Sequence, residues 1–410
     1  MIELGNNRII FLAIGVVIGV GVAFAAVYNF QEQEIQQIPV SAINEEKFLP
    51  SGTNSWMYPG EPVPEDEMRI TVMGTGWGFI RPGQADQSFY VELGNGDTFM
   101  FDLGEGSEAN YMRMHVPYSK MTNLFISHLH MDHIGSLPHV YAFGPSADRF
   151  TPMNIYGPSG DTPKLGTKHM IEGLKLYTDW HVTSFKTSIP ESAGYDINVH
   201  EFDYTLNPGI AYDKNGVVIK HFPAAHTMDG GVNFRLEWNG LCAIFPSDTN
   251  PTTWDVENGK DCDIIFHEVG PDPEIYSKKM NMPLETAQMI VDSSHTNPKA
   301  LGKIFSETQP RLGVITHTII NEDTTLPIID SVRIHYDGPL AFASDLMVFN
   351  VGHDEITQRM AIGPDNPWVW MTEESPDTPP ELDLDEYKSQ TTLDQVIPKC
   401  ENATAGQLCY

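Results

Sequence analysis

Four side chains that bind metal cations crowd into six positions: His128-Leu129-His130-Met131-Asp132-His133. Imidazole and carboxylate are the ligands that suit zinc and its neighbours. The apolar run at 123–127 reads as a strand leading into them. In extended backbone His128 and His130 share one face and can reach one ion. Asp132 and His133 then turn toward a second position close by. A lone histidine is most often structural, but that reading needs four coincidences here. Two such cations side by side would lower the pKa of bound water toward neutrality and make it a nucleophile for hydrolysis.

The elements that must position these groups alternate. Strand-like runs fall at 69–73, 88–93, 98–102, 123–127, 217–222, 232–238, 241–245, 263–267, 312–316 and 346–351. Helical patterns fit 105–114, 134–142, 165–178, 284–292, 298–309 and 326–335. Strands cluster at the front and again in the middle, which suits two mixed sheets packed face to face with helices outside. Against 55 acids stand 24 Lys and Arg, a formal charge of −31 that repels polyphosphate and disfavours nucleic acid as a partner. Small anionic substrates remain compatible if a local cationic site overrides the field. Four cysteines are too few for a disulfide framework.

Between about 69 and 351 the chain resembles the metallo-β-lactamase superfamily, and within it the ribonuclease Z-like branch that also holds zinc arylsulfatases. The resemblance rests on Arg69-Ile-Thr-Val-Met-Gly-Thr-Gly, Phe101-Asp102-Leu103-Gly104-Glu105-Gly106 and Phe125-Ile-Ser-His-Leu-His-Met-Asp-His-Ile-Gly-Ser-Leu. It continues through His226-Thr227 with Gly230 and Gly231, Phe245-Pro246-Ser247-Asp248-Thr249, Val314-Ile315-Thr316-His317 and Ala343-Ser344-Asp345. It implies an α/β (α+β) fold, an αββα sandwich of two mixed sheets flanked by helices. It also implies two zinc ions, with manganese or iron as substitutes. His128, His130 and His226 would hold one ion, Asp132, His133 and His317 the other, and Asp248 would bridge them. His221 is the rival of His226 but lacks the following Thr and Gly pair.

Three residues are implied in catalysis. Asp132 would orient the nucleophile as a base. Glu268 and His295 would pair so that the imidazole protonates the leaving oxygen. Asn297 is a good N-cap and Pro298 a good first helical residue, which puts His295 at a helix N-terminus. That dipole favours an anionic ester but lowers an imidazole's pKa, so a carboxylate such as Glu268 must keep His295 protonated. Asp102 reads as a support beneath the metal loop. Gly74-Thr75-Gly76-Trp77-Gly78 is a weak phosphate-loop signal, because no helix follows it.

From Ile9 to Val27 run nineteen residues without a charge, after Arg8 and before an acidic stretch. They are long enough to span roughly 30 Å of hydrocarbon at about 1.5 Å per residue. The charge bias puts the body outside. A cleaved signal peptide is the rival, since Ala23-Phe24-Ala25 resembles a cleavage site. Either way the enzyme is expected to be extracytoplasmic, periplasmic or at the cell surface. The organisation expected is a signal-anchor or signal peptide over 1–30, a polar linker over 31–68, the hydrolase domain over 69–362 and an acidic Pro-rich tail over 363–410. Cys400 and Cys409 could close a small loop in that tail, and Trp368, Trp370 and Met371 could dock it on the core.

Only 22 positions separate His226 from Asp248, where transfer-RNA-processing members of the branch often carry an RNA-binding arm. The long stretch at 157–215, with Tyr177, Trp180, Phe185 and Tyr195, could instead roof the pocket. The reading that follows is an exported dinuclear zinc hydrolase of small sulfate esters (arylsulfatase-like) or phosphodiesters. A ribonuclease Z-like phosphodiesterase acting on RNA and a lactonase or thioesterase are the alternatives. The expected partners are a small anionic ester, the membrane through the N-terminal segment, and a second copy in a homodimer.

Overall fold

A computed structural model describes residues 55–78, 81–186, 192–364, 397, 399–402 and 409–410. The expected anchor and most of the expected linker and tail, including Trp368, Trp370 and Met371, lie outside the described residues. Strands β1 (Trp56–Met57), β2 (Met68–Gly74), β3 (Ser88–Leu93), β4 (Thr98–Phe101), β5 (Asn123–Phe125), β6 (Met153–Pro158) and β7 (Ile197–Phe202) join a nine-stranded sheet. Its last two strands come from the end of the domain, β15 (Met347–Val351) and β16 (Ile356–Ala361), and its order is β1-β16-β15-β2-β3-β4-β5-β6-β7. The second sheet takes β8 (Gly209–Lys214), β9 (Val217–Pro223), β10 (Val232–Trp238), β11 (Leu241–Phe245), β12 (Ile264–Glu268), β13 (Leu312–Thr316) and β14 (Leu340–Phe342), in the order β14-β13-β12-β11-β10-β9-β8.

Alternation drives the two sheets together. Every second residue of β2, β3, β4, β10 and β11 is a buried apolar side chain of the central layer, among them Phe89, Phe101, Phe234 and Phe245. Phe101 and Phe245, one from each sheet, stack with ring centroids 4.0 Å apart. The outer face of the first sheet is covered by α1 (Ser107–Arg113), α3 (Leu137–Ala147) and α4 (Thr167–Lys186), which contribute Tyr111, Val140, Ile171 and Leu174. A short helix, α2 (Met131–Ile134), lies between the first two. The second sheet is covered by α8 (Pro298–Thr308) and α9 (Thr325–Val332), through Leu301, Phe305, Ile328 and Val332. The helices α5 (Thr253–Gly259), α6 (Pro273–Met280) and α7 (Leu284–Ser294) complete the chain order. The architecture is the expected αββα sandwich.

Some details depart from expectation. The end of the expected linker belongs to the sheet: Trp56–Met57 pairs in parallel with β16, and Met57 is buried. Buried Arg69 ties it down by donating to the carbonyls of Glu61 and Pro62. The stretch at 157–215 forms α4 and the sheet-edge strands β7 and β8 rather than a roof. Of its aromatics, Tyr177 and Trp180 face solvent, whereas Tyr195 is buried against the sheet side. Cys242 of β11 and Cys262, just before β12, form a disulfide, and Cys400 pairs with Cys409.

The parallel ladders β4-β5-β6 and β11-β12-β13 matter most for function, because their carboxyl ends share one rim. Loops leaving such ends are where open α/β sheets place their sites.

Candidate metal centre

His128 and His130 follow β5, and Asp132 and His133 occupy the first turn of α2. His226 follows β9, Asp248 follows β11 and His317 follows β13. Seven residues from the segments that follow four strands thus converge, in the two sets expected. His128, His130, His226 and Asp248 form one group, and Asp132, His133, Asp248 and His317 the other. Asp248 belongs to both. Its Oδ2 lies 3.9 Å from His128 Nε2 and 3.7 Å from His226 Nε2, while its Oδ1 lies 2.8 Å from His317 Nε2 and 3.2 Å from His133 Nε2. One carboxylate therefore faces both clusters.

The donor set fits cations. His130 Nδ1 sits 3.0 Å from His128 Nε2 and 3.2 Å from His226 Nε2, so three imidazole nitrogens point at one spot. In the second set His133 Nε2, His317 Nε2 and Asp248 Oδ1 are buried with no hydrogen-bond partner. Buried acceptors left so would be costly unless a cation met their lone pairs. Imidazole and carboxylate oxygen, with no thiolate in either set, fit zinc best and manganese or iron next.

The surrounding residues orient the rings. Asp102, at a left-handed φ of 56°, accepts from the Ser127 amide at 2.8 Å, from the Ser127 hydroxyl at 2.8 Å and from His133 Nδ1 at 2.7 Å. This leaves His133 Nε2 free to ligate, the support role expected of Asp102. Burial alone would lower the His133 pKa, but Asp102 and Asp248 outweigh it and lift it well above the ordinary range. His226 donates from Nδ1 to the Ser294 carbonyl at 2.8 Å, which likewise turns Nε2 inward. His317 also adopts a left-handed φ, 45°. Such backbone is uncommon outside glycine and gathers at functional sites. His221 takes no part; it stacks on Phe202 at 4.0 Å, away from both clusters.

Glu268 and His295 pair as expected, 3.1 Å apart from Oε2 to Nδ1. The other carboxylate oxygen accepts the Thr296 amide at 2.7 Å, so Glu268 is fixed. Asn297 caps α8 and Pro298 opens it. Burial opposes the His295 imidazolium, but Glu268 outweighs it and raises the pKa. Trp77 adds a contrary influence. Its indole N–H donates to His295 Nε2 at 2.9 Å, and a nitrogen that accepts this bond carries no proton. The hydrogen bond settles the resting state: the ring holds Nδ1–H toward Glu268 and a lone pair toward Trp77.

Sequence reasoning missed Trp77 in this role and missed Asp86 altogether. Asp86 is 4% exposed, its Oδ1 has no partner, and its pKa is raised to about 6 by burial and then by Asp132. The ordinary value is 3.8, so the folded protein keeps a proton that the unfolded chain releases. Asp86 thus contributes its full stability below pH 3.8 and loses it as pH rises to about 6. Above that, burying the charge costs up to about 3 kcal/mol. Asp86→Asn is therefore expected to raise the melting temperature of chelator-stripped protein at pH 8 and to leave it unchanged at pH 3.5. Calorimetry at both values checks this, and an equal change at both would contradict it.

The sequence profile of the family described as Anti-Pycsar protein Apyc1 matches residues 68–278, half of the chain, including all but one of the seven ligand positions. The chain belongs to the Apyc1 family. It is also similar to ribonuclease Z of Methanococcus maripaludis, 28% identical over 232 residues that cover 57% of this chain and 65% of the relative. Ribonuclease Z of Haloferax volcanii is 24% identical over 313 residues, 68% of this chain and 93% of the relative. Among solved structures, human tRNase Z, short form, aligns with a TM-score of 0.51 and 19% identity, covering 68% of this chain and 98% of that one. The metallo-β-lactamase fold protein YhfI of Bacillus subtilis gives 0.51 and 16%, covering 70% and 100%. The metallo-β-lactamase fold expected from the motifs is thus shown. The Apyc1 match ends at 278, so His317 of the metal centre and the His295 loop lie beyond it.

Proposed function

We propose that this Apyc1-family chain is a metal-dependent phosphodiesterase of the ribonuclease Z-like kind. The observation that carries the reading is the Asp248 carboxylate shared by two imidazole-rich sets, with Glu268–His295 beside it. The relatives reported above are named as ribonucleases, which favours a phosphate ester over the sulfate ester expected first. They also argue against setting nucleic acid aside as a partner.

Two divalent ions held by these residues would activate water and neutralise the phosphoryl oxygens. The chain's own residues do the rest. Asp132, on the first turn of α2, accepts a proton from the attacking water. Glu268 holds the His295 ring; once Trp77 releases Nε2, that nitrogen takes up a proton from solvent, and the imidazolium beside Glu268 then delivers it to the leaving oxygen. The N-terminus of α8 lies just beyond and favours the anionic group.

Beside the first cluster is a cavity of about 240 Å³, lined by His128, His130, His226, Lys164, Leu165 and Met228. Its volume suits one nucleotide-sized group better than a folded RNA. Between His226 and Asp248 the chain forms only a hairpin, β10 and β11 joined at Asn239-Gly240, so no arm extends there. The substrate favoured is therefore a short or small phosphodiester, ribonucleotides first. Assaying the metal-loaded protein on a short oligoribonucleotide, a small aryl phosphodiester, an aryl sulfate, a lactone and a precursor transfer RNA tests this. Turnover is expected on the first two. Sulfate or lactone hydrolysis far above both would overturn the phosphodiester reading, and efficient precursor processing would overturn the size limit.

The same proposal places the body outside the cytoplasm, supported by the uncharged stretch from Ile9 to Val27 and by two cystine pairs. Protease added to spheroplasts should digest it, and full protection would refute the placement.

A further inference from the structure

A cavity of about 420 Å³, larger than the one beside the metal cluster, lies at the opposite end of the first sheet. Strand β4 runs from Thr98, which lines this cavity, to Phe101, whose neighbour Asp102 supports the metal loop. Alternation builds the floor. Ile70, Val72 and Val91 enter the central layer, so Arg69, Thr71, Tyr90 and Glu92 face outward into the cavity. Met114, His115, Val116 and Lys120 reach it from the end of α1 and the turn that follows, and Met57 and Val63 from the N-terminal segment.

Three buried polar atoms among the lining residues have no hydrogen-bond partner: Arg69 Nε, Thr71 Oγ1 and His115 Nε2. The terminal nitrogens of Arg69 are taken by the Glu61 and Pro62 carbonyls, which leaves Nε as an open donor. Buried donors and acceptors left open are the exception in native folds and call for a partner. His115 occupies the left-handed position after α1, at φ 54°, where glycine is usual, so an imidazole sits there against the backbone's preference. Water would satisfy the polar atoms but gain nothing from Met57, Val63, Met114 and Val116. Apolar walls with a few converging polar groups are the make-up of a small-molecule site.

The charges select the molecule. Arg69 is balanced by Glu61 at 3.6 Å and Glu92 at 3.7 Å, whereas exposed Lys120 has no ion-pair partner among the described residues. Burial pushes the Glu92 pKa up and Arg69 only partly offsets this, so Glu92 gains from a further donor. An acceptor, Glu92, thus lies beside an open donor, Arg69 Nε. A heterocycle edge with an amino group next to a ring nitrogen or carbonyl complements that pair, as in cytosine or guanine. Met57 and Met114 suit the faces of a flat ring, and Lys120 suits an anionic group left outside. We propose that this cavity is a second ligand site, remote from the metals, for a nucleoside monophosphate with an amino-bearing base. The site stands whether or not the metal centre cleaves phosphodiesters.

Cytidine monophosphate is the probe, added to the metal-loaded full chain in detergent solution. In carbon-13 spectra of protein labelled at its methionine methyls, Met57 and Met114 should shift as the nucleotide saturates. Met228 lines the metal-side cavity and reports binding there separately. The Met57 and Met114 shifts should persist in Asp248→Ala, so the failure of this site and the failure of the phosphodiesterase reading are distinguishable. Thr71→Val and Lys120→Ala should each weaken the Met57 and Met114 response by about 10-fold, with melting temperature and metal content unchanged. Lys120 is exposed, so its variant tests the site even if Thr71→Val loses stability. Uridine monophosphate turns an acceptor toward Glu92 in place of the amino group and should bind at least about 10-fold more weakly. A shift confined to Met228 would overturn the site, as would undiminished binding in the Lys120→Ala chain. Uridine monophosphate binding as tightly as the cytidine probe, or inorganic phosphate displacing it at equal concentration, would overturn the ligand class.

Discussion

Asp248→Ala is expected to lower bound metal from about two ions per chain to one or fewer and to reduce phosphodiester turnover by about 10³-fold or more. The reason is geometric. Asp248 Oδ1 faces His317 and His133, and its Oδ2 faces His128 and His226, so no other side chain can replace it for either cluster. Burial alone would raise its pKa, yet His317 and His133 hold it well below the carboxylate range, and two cations would strengthen that effect. With the carboxylate removed, cations held by the two sets would repel each other with one fewer negative charge to offset them. Elemental analysis of the purified variant checks the metal content, and steady-state kinetics checks the rate. Two tightly held ions in the variant would end the shared-ligand assignment. Full activity after exhaustive chelation would end metal catalysis altogether.

How far the site is legible in the sequence depends on how local its geometry is. His128, His130, Asp132 and His133 declare themselves because one strand end and one helical turn carry all four. Asp102 could be placed beneath them because it closes β4, the neighbour of β5 in the sheet. Trp77 and Asp86 could not. Trp77 meets His295 across 218 positions, and nothing in Gly74-Thr75-Gly76-Trp77-Gly78 says where the indole points. The nearby Asp345 is similar, since its carboxylate ties Thr75, Ala85 and Asn110 together only after the β15 end arrives beside β2. These contacts are products of topology, and single-sequence patterns carry no pairing information.

The elements divide in the same way. Central strands such as β10 and β11, buried on one or both faces, match their expected bounds to the residue. The unforeseen β7 and β8 are edge strands whose exposed faces carry Asn, His, Asp and Lys, so alternation is diluted by polar residues. Helix α4 extends eight residues past its expected end, to Lys186. Its Trp180 and Tyr177 look like core on composition. That is why the stretch was expected to cover the pocket, when among its described residues Pro158, Lys164 and Leu165, all before the helix, line it.

The second large effect concerns the proton delivered to the leaving group. His295→Ala should lower turnover of a poor leaving group, such as a ribose hydroxyl, by about 10²–10⁴-fold while leaving the metal content intact. A nitrophenolate leaves without help, so its turnover should fall much less. Equal losses for both substrates would make His295 a positioning residue. Trp77 gives the test its sign. In the resting site the indole N–H occupies His295 Nε2, the atom that must meet the leaving oxygen. Trp77→Phe keeps a ring against Tyr276 but removes that N–H. If the bond has to break before proton transfer, the variant should bind and turn over the poor leaving group roughly 2–10-fold better, the net value of one hydrogen bond. Without the donor, Glu268 acts alone on the imidazole, so the His295 pKa should rise. The basic limb of the rate profile should then move to higher pH, since a group with a raised pKa holds its proton further into the alkaline range. A Trp77→Phe enzyme as damaged as His295→Ala would reverse this assignment, because the indole would then be holding the imidazole in place rather than standing in the way of the substrate.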